Sequence, residues 1–210
     1  MIAIFHLVPN PYAQKISAWF IRLLVFIPVR VKGTPDPDAQ MFLLNHQSDI
    51  DIGIMETITS KDLAWVAKKE LFDVPFFGLV VKLPKDIPLE RESKTALVKL
   101  LKECKDRLDQ GRVITIFPEG TRTETGHMKP FKAGAKMVAD KYGLKVQPVV
   151  LIATAWHFSN KRKDFRPGTV TAVYMDSFVA DKNDPEWLNR LHTRMQKVYN
   201  DELTHHPRYR

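Results

Sequence analysis

Residues 93–122, SKTALVKLLKECKDRLDQGRVITIFPEGTR, decide the fold class. Leu97, Leu100, Leu101, Cys104 and Leu108 fall on one helical stripe, and Gly111 stands where a helix of that phase would stop, so a helix is expected from Ser93 to Gln110. The apolar run Arg112–Phe117 follows at once, reads as a strand, and is ended by Pro118. The same alternation recurs along the chain. Strands are expected at Met41–Leu44, Leu63–Ala67, Val146–Ile152 and Thr169–Met175, and helices at Lys132–Tyr142 and Pro185–Leu203, the latter opened by Asp184 as N-cap. Strands alternating with helices imply an α/β class, a central mostly parallel or mixed sheet flanked by helices. In such sheets functional side chains gather beyond the carboxyl ends of the strands.

The chain has 210 residues, 44% apolar and 27% charged, which fits one globular domain and excludes a disordered, collagen-like or polytopic membrane protein. Thirty-two Lys+Arg against 24 Asp+Glu leave a net charge of +8, which favours anionic partners: phosphates, nucleic acid or an acidic lipid surface. The single cysteine, Cys104, excludes an internal disulfide framework and is expected in the core. His6, His127, His157, His192, His205 and His206 form no ligand pattern, so no catalytic metal is expected.

The first 32 residues differ from the rest. Asn10-Pro11 reads as an N-cap and first helical residue, and Pro28 would break the helix. Roughly 25 Å of helix falls short of the ~30 Å hydrocarbon core, and Arg22 sits in its middle. An interfacial helix anchored by Trp19, Arg22, Arg30 and Lys32 is the expectation; the alternative is a helix covered by the domain itself. Residues 1–32 are thus read as a membrane-associating segment and 33–210 as the catalytic domain, after the Pro/Asp-rich connector from Gly33.

Three stretches could carry chemistry. After the strand Met41–Leu44 comes Asn45-His46-Gln47-Ser48-Asp49-Ile50-Asp51. His46 and Asp51 would lie roughly 140° apart on one continuous helix, so they meet only across a turn. Ser48-x-x-Asp51 supplies one, resembling a capping box that brings Asp51 into a helix's first turn beside His46. There a carboxylate could fix the imidazole tautomer and leave the other ring nitrogen as a base; otherwise Asp51 merely caps and His46 is a turn histidine. No Gly-x-Ser-x-Gly motif or reactive cysteine accompanies the pair, so the base would activate a hydroxyl of a substrate or of water. Second, Pro118-Glu119-Gly120-Thr121-Arg122 ends a strand with a glycine turn, a hydroxyl and a forked cation, either a phosphate seat or a solvated turn. Third, Lys68-Lys69-Glu70-Leu71 and Pro75-Phe76-Phe77-Gly78 offer cations and an apolar border, or simply a surface helix start over buried rings.

Taken together these residues resemble the glycerolipid acyltransferases, specifically the 1-acyl-glycerol-3-phosphate (lysophosphatidate) acyltransferases. His46-x4-Asp51 is similar to the family's catalytic block. Lys68-x2-Leu71-x6-Gly78, continuing to Ile87-Pro88-Leu89-Glu90-Arg91, is similar to the second, Phe117-Pro118-Glu119-Gly120-Thr121-Arg122 to the third, and Val146-Gln147-Pro148-Val149-Val150 to the fourth. Lys85 stands where the second block usually has glycine, and Pro88 lies inside its run.

The resemblance implies acyl transfer from acyl-CoA or acyl carrier protein, as co-substrate and with no other cofactor, to the hydroxyl of lysophosphatidic acid, giving phosphatidic acid. It implies that His46 takes the hydroxyl proton and Asp51 orients the ring. Lys68, Arg91, Gly120, Thr121 and Arg122 would hold the acceptor phosphate, with Glu119 setting the loop. It implies work at a phospholipid surface, the inner face of the cytoplasmic membrane, and no nucleic acid. Rival readings are an acyltransferase for another lysolipid or glycerol 3-phosphate, a thioesterase or lipase using the same pair, and a basic nucleic-acid-binding module, which lacks a recognition motif.

Overall fold

The computed structural model describes residues 27–75, 77–90, 95–159 and 161–206. The expected helix up to residue 26, and Arg91, lie outside the described residues.

The strands are β1 (Val29–Lys32), β2 (Met41–Leu44), β3 (Leu63–Lys68), β4 (Ile87–Leu89), β5 (Val113–Ile116), β6 (Lys145–Ile152), β7 (Phe158–Ser159), β8 (Asp164–Phe165), β9 (Val170–Tyr174) and β10 (Phe178–Val179). The helices are α1 (Ile50–Ile58), α2 (Lys69–Phe72), α3 (Phe77–Lys82), α4 (Ala96–Asp109), α5 (Ala133–Tyr142), α6 (Thr154–His157) and α7 (Trp187–Thr204). The main sheet runs β1-β9-β6-β2-β5-β3-β4, with β10 pairing on β6. The five strands from β6 to β4 are mutually parallel, and β9 joins β6 antiparallel, so the sheet is mixed as expected.

β2 is buried along its whole length, and its alternation sorts its side chains into two cores. Met41 and Leu43 face one with Ile114, Val146 and Val150, which α4, α5 and α7 close with Leu100, Cys104, Val138, Leu191 and Met195. Phe42 and Leu44 face the other with Leu63, Trp65, Val149 and Leu151, where Ile54 and Met55 of α1 pack. Cys104 is in the core as expected, and burial pushes its thiol pKa up to about 12.

The long elements match their expected spans to within a few residues, but two caps do not. α7 begins at Trp187, although Asp184 still accepts the Glu186 amide at 3.1 Å. The capping box at Ser48 is half made: Asp51 reaches back to the Ser48 amide, whereas the Ser48 hydroxyl donates to the Phe158 carbonyl at 2.7 Å. Val29–Lys32, read from sequence as part of the N-terminal segment, is instead an edge strand, parallel to β9. Pro88 is tolerated because β4 is the opposite edge, where one missing N–H breaks no ladder.

Lys85 has a positive φ of 56°. Its carbonyl is held there by Arg107 Nε at 2.7 Å and Arg112 Nη1 at 3.2 Å, so the strained backbone serves two buried guanidinium groups. A left-handed residue with a Cβ costs about 1–2 kcal/mol and glycine avoids it, less its own greater chain entropy. Lys85→Gly should therefore raise Tm by about 1–4 °C in thermal unfolding; a lower Tm would mean that the lysine is not strained.

Candidate active site

β2 ends at Leu44, and Asn45 continues its ladder with a side chain. The Asn45 amide donates to the Leu151 carbonyl and accepts the Leu151 N–H, both at 2.8 Å, which fixes the chain direction leaving the sheet. The turn that follows returns Asp51 beside His46. Asp51 Oδ2 accepts three hydrogen bonds: from His46 Nδ1 at 2.8 Å, from the Gln47 amide at 2.7 Å and from the Ser48 amide at 2.9 Å. The carboxylate is fully buried in the first turn of α1, where the helix dipole favours a negative charge. Nδ1 thus carries the proton and Nε2 is left as the basic nitrogen.

The ring is also held from its face. His46 stacks on Phe117, centroids 3.9 Å apart and planes at 16°, and Phe117 stacks on Trp65 at 5.2 Å. The indole N–H of Trp65 donates to buried Glu56 of α1 at 2.7 Å. One helix therefore anchors both the edge of the imidazole, through Asp51, and the far end of the stack, through Glu56. The one sign of this stacking in the sequence was an aromatic residue in β3, Trp65, and another just past the end of neighbouring β5, Phe117.

The third block is tied to the first by Glu119. Its Oε1 accepts the His46 amide at 2.9 Å, and its Oε2 accepts the Thr123 hydroxyl at 2.9 Å and the Lys129 amide at 2.8 Å. The Thr123 amide closes the ring of contacts by donating to the His46 carbonyl at 2.8 Å. Glu119 is buried, and desolvation pushes its pKa upward against the pull of these donors and of His46.

Gly120 has φ 68°, and its N–H closes the turn onto the Phe117 carbonyl at 2.9 Å. That amide therefore shapes the turn rather than standing open to an anion. Thr121 and Arg122 are exposed beyond it. The Arg122 guanidinium pairs with Asp49 of the His46 turn, Nη2 to Oδ1 at 3.0 Å and Nη1 to Oδ2 at 3.3 Å. Lys68 is exposed at the carboxyl end of β3, on the same edge of the sheet, while neighbouring Lys69 pairs with Glu90 at 2.6 Å. His46, Asp51, Glu119, Gly120, Thr121 and Arg122 are thus one cluster, and Lys68 shares their edge. The fourth block is buried inside β6 and builds the sheet. Among the described residues, no group of three or more His, Cys, Asp or Glu side chains is placed to hold a metal ion.

A model of the family described as Acyltransferase matches residues 27–152, which include both strand-end turns. The chain belongs to the acyltransferase family. It is 42% identical over 168 residues to the 1-acyl-sn-glycerol-3-phosphate acyltransferase of Helicobacter pylori, covering 80% of this chain and 71% of that one. It is 31% identical over 186 residues to the protein of that name from Pseudomonas aeruginosa, covering 87% and 71%. The fold is that of the crystallised 1-acyl-sn-glycerophosphate (LPA) acyltransferase PlsC of Thermotoga maritima, with TM-score 0.71, 24% identity, and 91% of this chain and 77% of that one covered.

Removing a buried acceptor strands its donors at about 1–3 kcal/mol each. Glu119→Ala leaves three, so this acyltransferase should lose at least ~3 kcal/mol, read as a Tm lower by roughly 6–12 °C. A Tm within a degree of wild type would remove Glu119 as the tie between the two turns.

Proposed function

We propose that this acyltransferase moves an acyl group from acyl-CoA or acyl carrier protein to the sn-2 hydroxyl of lysophosphatidic acid, making phosphatidic acid. The observation that carries the reading is the buried Asp51 carboxylate on His46 Nδ1, which leaves Nε2 as a base with no hydroxyl or thiol of the described residues bonded to it. The hydroxyls of Ser48 and Thr123 are spent on Phe158 and Glu119, and Cys104 is in the core. Nε2 takes the proton of the acceptor hydroxyl as its oxygen bonds to the thioester carbonyl carbon. The carbon–sulfur bond then breaks, and the leaving thiolate takes the proton back. Asp51 stabilises the imidazolium between these steps.

The names carried by the relatives support lysophosphatidic acid as acceptor, and the cations at the strand ends suit its phosphate. Arg122 and Asp49 are 41% and 49% exposed in their side chains, so their ion pair is worth at most about 1 kcal/mol. Exchanging Asp49 for a phosphate therefore costs Arg122 little and gains a bidentate charged contact. Lys68, Thr121 and Arg91 complete the phosphate seat. The acceptor lives in a bilayer, so the enzyme works at the inner face of the cytoplasmic membrane. The apolar segment that precedes β1 in the sequence and the excess of positive charge support adhesion to it, and no helix of the described residues is long and apolar enough to cross it.

A panel of lysophosphatidic acid, other lysolipids and glycerol 3-phosphate against both thioester donors tests the assignment. Lysophosphatidic acid should give the highest kcat/KM. His46→Ala should lower the transfer rate by ~10²–10⁴-fold with folding intact, and Arg122→Ala should chiefly raise KM for the phosphate-bearing acceptor. Fatty acid release without acceptor consumption would make the enzyme a hydrolase, and an undiminished rate in His46→Ala would remove the base.

A further inference from the structure

The chain between β6 and β9 takes no part in the chemistry above, yet it is fastened to the site. Ala153, at φ 70°, turns the chain out of the carboxyl end of β6 into α6 and then the β7–β8 hairpin. The Ser48 hydroxyl, two residues from His46, donates to the Phe158 carbonyl at 2.7 Å. The Ser159 hydroxyl donates to Glu124 at 2.5 Å, two residues beyond Arg122. The hairpin is thus bonded to the turn that holds the base and to the segment following the arginine turn.

Its composition is that of an interfacial anchor. Lys161, Arg162, Lys163 and Arg166 stand against a single carboxylate, Asp164, four charges less one, or +3 over six residues. Arg166 lies 4.1 Å from the Trp156 ring centroid, and Arg162 donates to the carbonyls of Ala155 and Trp156 at 2.9 and 3.1 Å, so both arginines brace the tryptophan. Both also pair with Asp164 at 2.9 Å. Lys161 and Lys163 are left exposed at the tip, where Lys163 is held at φ 53° with its N–H on the Ser159 carbonyl. Phe165 beside them is 41% exposed. Long cationic side chains around a solvent-facing aromatic ring suit a surface that is anionic outside and apolar just beneath.

We propose that residues 154–159 and 161–166 are the surface on which this enzyme meets an anionic phospholipid bilayer, placing the His46 opening against the leaflet that supplies the acceptor. The inference rests on the acyl-transfer reading, which gives a bilayer its reason to approach this edge. Nucleic acid could use the same lysines and ring, so RNA binding is the competing outcome that the test separates.

The test uses the full chain and the variant Lys161→Gln/Lys163→Gln/Phe165→Ser, whose altered side chains are all exposed. Sedimentation with vesicles of phosphatidylcholine mixed with phosphatidylglycerol should show binding weakened by roughly 30-fold or more, from ~1 kcal/mol for each of the two lysines with the lost ring adding to it. Transfer to lysophosphatidate embedded in those vesicles should fall in parallel, while transfer to a short-chain, monomeric lysophosphatidate stays unchanged. Unaltered vesicle binding would overturn the hairpin's role, as would a loss confined to RNA binding. A wild-type enzyme inert toward both the embedded and the monomeric acceptor would instead strike the acyl-transfer reading, with the vesicle-binding arm still judging the hairpin.

Discussion

The arrangement depends on one buried carboxylate that satisfies three donors at once. Asp51 binds the imidazole and the two amides of the turn that separates it from His46. The same oxygen therefore closes the turn and orients the base, so the local fold and the proposed chemistry cannot be separated by mutation at this position. A charge this deeply buried is tolerable only because its partners are charged or dipolar and fixed. The stack His46–Phe117–Trp65 and the Trp65–Glu56 bond then remove the remaining freedom of the ring.

The other constraint is the sheet. β2, β3, β5 and β6 are parallel and adjacent, so their carboxyl ends bring segments distant in sequence to a single edge. Glu119 converts that proximity into contact, since one carboxylate draws amides and a hydroxyl from three segments. The cations proposed to meet the phosphate, Lys68 and Arg122, are exposed outside this buried frame. Arg122 is only loosely held by Asp49, as a group must be that exchanges partners with a ligand.

Much of this was legible in the sequence, for reasons that differ by element. The strands β2, β5 and β6 are apolar runs buried on both faces, and α4 carries a clear stripe ended by Gly111, so periodicity sufficed. The turn between His46 and Asp51 was legible from spacing, because no continuous helix or strand could pair the two residues. What escaped was set by distance along the chain. The Ser48 hydroxyl donates to Phe158, 110 residues away, and keeps only a long contact from the Ile50 amide at 3.4 Å. β1, β4, β7, β8 and β10 are two to four residues long and have no period to read. Lys85 was visible as a departure from the family's glycine, but the backbone conformation behind it emerges only from the carbonyl's two arginine partners.

The central claim is that the acyl group passes directly to a lipid hydroxyl deprotonated by a base, with no acylated protein between. Rapid mixing of the enzyme with a labelled acyl thioester in the absence of acceptor measures this directly. The account predicts no early release of thiol and no labelled protein after denaturation, with thiol and acylated lipid appearing together once lysophosphatidate is added. A burst of thiol approaching one equivalent per chain, with label retained on the protein, would contradict it.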